Sequence, residues 1–188
     1  MNAKVLRLFV ALTGIQTAGQ NLKQLQKAMQ SPLSNTELLG EELPKRMLGV
    51  FGVGKDTLNG VHPNLRESAA LLEADVAEMG STVEKLLIKH NKGIINRQME
   101  VKRLADAAID LFSMACVLSR ASRTISEGGA SAAHEELLAR TWCEDADSRV
   151  RFNLKKLKSK TTDDAMVDIA KQIFENDGAP LQEHPLRL

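Results

Sequence analysis

The chain has no tyrosine, one tryptophan and five phenylalanines, so aromatic residues make up only 3% of its 188 residues. With Ala, Leu, Lys, Glu and Met prominent instead, the composition favours helices over strands. No segment shows the sustained alternation of a half-buried strand, which argues against a sheet. Cysteine is scarce too: Cys116 and Cys143 are the two present, too few for a disulfide framework. Both fall in apolar surroundings on separate predicted helices, so both are expected to be buried thiols. An excess of charge of one sign is also lacking. Twenty-five Lys and Arg against 24 Asp and Glu leave a net charge of +1, which predicts no broad attraction to nucleic acid. The longest uncharged run, Leu8 to Leu22, contains Gln16, Gln20 and Asn21 and is too short and polar to span a bilayer. The opening residues do not form a signal or transit peptide. What is present, 43% hydrophobic and 26% charged residues, suffices for one domain with an ordinary core and a tail or linker.

The strongest pattern lies between Val101 and Ser126. Leu104, Ala108, Leu111, Ala115, Leu118 and Ile125 follow alternating steps of four and three, with Ser122 filling the gap, as on one face of a helix. From Leu111 to Ser119 no side chain is charged, so this stretch is expected to be enclosed by other helices on every side. Gly128 and Gly129 then supply a C′ stop. The segment reads as the central rod of a helical bundle.

Other elements arrange themselves around that rod. Val5 to Met29 reads as a first helix, weakened by Gly14 and Gly19 and ended by Ser31-Pro32. Ser34 to Gly60 reads as a flexible linker. Ser34 and Glu37 have capping-box spacing, Pro44 divides two short helices, and Gly49, Gly52, Gly54 and Gly60 loosen the second half. Within it Leu39, Leu43, Met47, Val50 and Phe51 share a helical face, while Glu41–Lys45 and Glu42–Arg46 pair on the other. Pro63 suits the first turn of a helix that runs to about Asn91, with Leu65, Ala69, Leu72, Val76, Met79, Val83, Leu86 and Leu87 inward. Ser131 is expected to cap another, with Leu137, Leu138, Trp142, Ala146, Val150 and Leu154 along one side. Thr162, Asp163 and Asp164 open a last helix carrying Met166, Ile169, Ile173 and Phe174. The fold class expected is all-α: a bundle of about four main helices with a leading helix on a flexible linker.

Catalytic patterns fail on chemistry. Gly49 to Thr57, GVFGVGKDT, places Gly49, Gly54 and Lys55 as in a phosphate loop, but Asp56 stands where a Ser or Thr must hold the metal, and no strand precedes it. His62, His90, His134 and His184 are scattered, and His134-Glu135-Glu136 lacks the second histidine of a helical zinc site. Ser119 and Ser122, in LSRASR, lack the strained turn of a hydrolase nucleophile, so surface or interhelical hydrogen bonding is expected of them. Arg149 to Lys160 carries six basic residues and reads as a solvated helix end, with nucleic acid or an anionic membrane as the alternative. The residues by themselves give no catalytic, flavin-binding or metal site.

Longer stretches carry a resemblance. VLRLFVALTG from Val5, LLIKHNKGI from Leu86, RLADAAIDLFSMACVLSRASRTISEG from Arg103, HEELLARTWC from His134 and HPL from His184 resemble the very long-chain branch of the mitochondrial acyl-CoA dehydrogenases. VLSRASR is also similar to the related branch that assists respiratory complex I assembly. The resemblance covers nearly the whole chain. It implies residues 1–31 as the last helix of a catalytic dehydrogenase domain, 32–61 as a membrane-associating linker and 62–188 as an extra C-terminal bundle. Family enzymes use FAD to place a trans double bond in a fatty acyl-CoA, with a glutamate in an EGTN-type turn removing the α-proton. Here Met1-Asn2-Ala3-Lys4 stand where that turn belongs. The expectation is therefore a non-catalytic C-terminal part of such an enzyme, binding no FAD by itself and inactive alone. Leu39, Leu43, Met47, Val50 and Phe51 would touch the matrix side of the mitochondrial inner membrane, and the partners would be the rest of the dehydrogenase and a second copy in a homodimer. The alternative is a stand-alone helical interaction module, such as a complex I assembly helper.

Overall fold

A computed structural model describes residues 12–17, 19–20, 58, 60–159 and 162–178. The described residues are helical throughout apart from short turns, and no strand occurs among them. The fold is an all-α bundle. Residues 12–17 and 19–20 belong to the leading helix, whose Ile15 is buried and whose Leu12 packs against the core. The linker with Leu39, Leu43, Met47, Val50 and Phe51, and the glycine loop Gly49 to Thr57, lie outside the described residues.

The chain divides after Lys158 into two compact units. In the first, Pro63–Leu65 forms a single 3-10 turn, with His62 Nδ1 accepting the Asn64 N–H at 3.2 Å. Helix α1, Arg66–His90, follows and continues unbroken through Gly80. It stops at Asn91, which takes a left-handed φ of 50°, and a 3-10 turn over Asn91–Asn96 carries the chain to the next helix. Helix α2, Gln98–Ser126, ends in a Schellman motif. Gly129 N–H donates to Thr124 O and Gly128 N–H to Ile125 O, with Gly128 at φ 66°. A short turn then leads into helix α3, Ala132–Lys158, so α2 and α3 form an antiparallel hairpin. Among the described elements the α2–α3 contact is the most extensive, and α1 packs on both. The second unit holds helix α4, Asp163–Glu175, with both carboxylates of its first turn at the positive end of the helix.

The central position of α2 holds, but its enclosure does not. Its buried seam is Leu104, Ala107, Leu111, Met114, Leu118 and Ala121. The expected Ala108 and Ile125 are half-buried, and Ala115 is exposed. Phe112 is 72% exposed, and Cys116 and Ser119 also face solvent. An uncharged stretch was a poor guide to burial, because α1 and α3 cover one side of α2 and leave the other open. Cys116 is therefore a correction to the expected pair of buried thiols, whereas Cys143 is fully buried.

Helix α3 buries the expected Ala146, Val150 and Leu154, but its first half departs from the expected line. Ala139, Cys143, Ala146, Val150, Leu154 and Leu157 line its buried side, while Leu137, Leu138 and Trp142 are 63%, 53% and 41% exposed. The physical reason is closeness. Small residues at three consecutive seam positions let α3 approach α2, and the larger side chains one position away are turned outward.

Candidate functional site

Several chemistry-bearing residues of the first unit have a structural use. Ser122 is buried, and its Oγ accepts the backbone N–H of His62 at 3.1 Å, tying the start of α1 to α2. Ser119 is exposed. His90 Nε2 lies 3.0 Å from Glu100 Oε2, and Arg97 donates through Nη2 to Oε1 of the same carboxylate at 2.9 Å. That cluster closes the turn between α1 and α2. His134 is exposed and His184 lies outside the described residues. No group of three or more metal-ligating side chains occurs among the described residues. Burial, followed by the nearby Glu144 charge, pushes the Cys143 thiol up to about 11, which makes it inert near neutral pH.

Much of the basic run is neutralised within the fold. Arg149 Nη2 donates to Asp110 Oδ1 at 2.9 Å across the α2–α3 hairpin, and Nη1 bonds Asp145. These hydrogen bonds, Asp110's foremost, hold the guanidinium charged even more firmly than usual. Arg151 Nε donates to Asp147 at 2.7 Å, and Lys158 Nζ bonds Glu78 on α1 at 2.7 Å. Arg149 and Lys158 thus tie α3 to α2 and α1, while Arg151 is held by an acid of its own helix.

On the open side of the hairpin, Ile109 and Phe112 of α2 stand with Leu138, Trp142 and Phe152 of α3, all exposed. Trp142 Nε1 donates to Ser113 Oγ at 3.0 Å, and the Arg149 guanidinium sits 5.2 Å from its ring centroid. Beside them is a cleft of about 540 Å³ walled by Asp106, Ile109, Asp110, Arg149 and Phe152. A second, about 890 Å³, lies between the leading helix and the end of α1, against Ile15, Leu87, Ile94 and Ile95. Ser148, also on the first wall, donates its hydroxyl to the Glu144 carbonyl at 3.1 Å, and Asp110 is held by Arg149. Aromatic and aliphatic side chains around internally paired ions suit contact with another surface better than bond-making.

Sequence reasoning passed over one cluster. Asp75 of α1 is 1% exposed, and neither of its oxygens has a hydrogen-bond donor. Arg151 Nε is 3.8 Å from its Oδ1 but bonds Asp147 more closely. Burial, then the Asp147 carboxylate, pushes the Asp75 acid up to about 7 against the opposing pull of Arg151. The signal was available: Asp75 falls three residues after Leu72 and four before Met79, inside the apolar stripe of α1.

Comparison with known proteins bears on the whole of this arrangement. Residues 63–179 match the family model described as ACAD9/ACADV, C-terminal domain. The very long-chain specific acyl-CoA dehydrogenase, mitochondrial, of Rattus norvegicus is 41% identical over 98% of this chain and 29% of its own length. The Homo sapiens protein of the same name is 45% identical over 82% of this chain and 24% of its own. The chain thus spans less than a third of the length of the curated relatives it matches. Helices α1 to α4 all fall within the matched residues, and the chain belongs to the ACAD9/ACADV C-terminal domain family.

Proposed function

We propose that this chain serves as the non-catalytic C-terminal region of a very long-chain acyl-CoA dehydrogenase, attaching the enzyme to the matrix face of the mitochondrial inner membrane and supporting its dimer. The observation that carries this reading is the family match over residues 63–179, together with relatives that are named as mitochondrial dehydrogenases. Redox chemistry with FAD, the cofactor of the family in general, is assigned to parts of the enzyme other than these residues. The cleft on the open side of the hairpin does not suit a flavin nucleotide. Arg149, the cation in the wall of the open cleft, is already taken by Asp110 and Asp145 and has little left for a pyrophosphate.

Membrane contact is assigned to Leu39, Leu43, Met47, Val50 and Phe51, on the sequence pattern alone. Five apolar side chains share a helical face, and Glu41 and Glu42 offset Lys45 and Arg46 opposite. Attachment therefore draws on apolar burial, roughly 25 cal/mol per Å² removed from water, more than on anionic lipid. The chain is expected to sediment with cardiolipin-containing liposomes, with only modest weakening by salt. Leu43→Glu combined with Phe51→Glu is expected to abolish this. Equal sedimentation of parent and double variant would remove the segment from the mechanism.

A further inference from the structure

The buried acid on α1 has no part in the function proposed for the chain. Asp75 is almost wholly enclosed, yet neither carboxylate oxygen has a donor. Asp75 Oδ1 and Asp147 Oδ1 stand 3.8 Å and 2.7 Å from the same Arg151 Nε, and two ionised carboxylates, which only accept hydrogen bonds, cannot bond each other. One proton changes this: a protonated Asp75 can donate to Asp147, whose Oδ1 already accepts from Arg151 Nε at 2.7 Å. Arg151 alone does not suffice for both acids, since it stands 3.8 Å from Asp75.

We propose that Asp75 and Asp147 share a single proton, making the contact between α1 and α3 a proton-binding site that tightens or loosens with pH. The surrounding charges are consistent with one proton and no more. Glu78, one turn along α1, adds negative potential at Asp75 but is itself bonded by Lys158 of α3 at 2.7 Å. Helix α2, also packed on α1, carries half-buried Arg103 and Asp106. With Asp147 bound to Arg151 and Glu78 to Lys158, Asp75 is the acid of this cluster left without a donor.

The sign of the effect follows from linkage. Unfolded, Asp75 titrates near its ordinary 3.8; folded, it is pushed up to about 7. The native state holds the proton more tightly, so the stabilisation is fully present below about 3.8 and is lost as pH rises through about 7. Urea unfolding of the full 188-residue chain and of Asp75→Asn across that range separates this group from the rest. Asparagine keeps the shape and always has an N–H to offer Asp147, while the histidines are common to both proteins and cancel in the comparison. The parent's unfolding constant is expected to rise relative to the variant's by up to about tenfold per pH unit within the window, and no further above it. Identical pH dependence in parent and variant would overturn the proposal. Should Asp75→Asn not fold, carbon-13 NMR of the parent's Asp75 carboxyl decides. A midpoint near neutrality supports proton sharing, and one in the ordinary carboxylate range overturns it.

Discussion

At the scale of single residues, Met114 is among the largest fully buried side chains of the described residues. Its side chain is fully buried in the seam of α2, between Leu111 and Leu118. Met114→Ala is expected to lose roughly 2–5 kcal/mol, a deletion of packed volume. Met114→Asp should go much further, because a carboxylate there has no partner, and total stabilities of about 5–15 kcal/mol leave little reserve. Urea unfolding ranks the two, and an Asp variant as stable as the Ala variant would contradict the placement of Met114. Residues of this kind were legible from sequence, since Leu104, Leu111 and Leu118 repeat every seven positions and fix the seam to within one residue either side. Whether the seam continued through Ala107 and Met114 or through Ala108 and Ala115 was not legible. Both choices satisfy helical spacing, and only the directions from which α1 and α3 approach decide between them. Trp142 shows the same limit. Its size suggested burial, but the close approach permitted by Ala139, Cys143 and Ala146 turned it to the surface, where Ser113 satisfies its N–H.

The elements depend on how they end. The turn from α2 into α3 rests on Gly128 at φ 66°, where a side chain is disfavoured even though open space surrounds the position. Gly128→Ala is therefore expected to destabilise the chain by about 1–2 kcal/mol through backbone strain, without any clash. Denaturant midpoints check this. A variant as stable as the parent would mean that the Schellman turn does not hold the hairpin. Here the sequence was a good guide, because two glycines after a long apolar pattern admit few other uses. The ion pairs joining elements were less legible. Asp110 and Arg149 lie on different helices, and only the antiparallel register of α2 and α3 brings them to 2.9 Å. The six cations from Arg149 to Lys160 look like a binding patch when counted along the chain. In the fold, Arg149, Arg151 and Lys158 are held by acids of α1, α2 and α3.

At the scale of the molecule, the fold and the family agree: an all-α domain of the ACAD9/ACADV C-terminal type, stabilised by an aliphatic seam and interhelical ion pairs, with the aromatic side chains among the described residues left outside. The central claim is that the segment around Leu43 enters a membrane surface, which a depth measurement tests most directly. A single cysteine at position 43 or 41 can carry an environment-sensitive fluorophore in a Cys116→Ser background. Cys143 is buried, with its thiol pushed up to about 11, and does not compete for label. With cardiolipin-containing liposomes, the probe of Leu43→Cys should shift to the blue and be quenched by lipid-borne quenchers, while that of Glu41→Cys should stay in water. Equal, water-like emission from both positions, or equal quenching of both, would contradict the account.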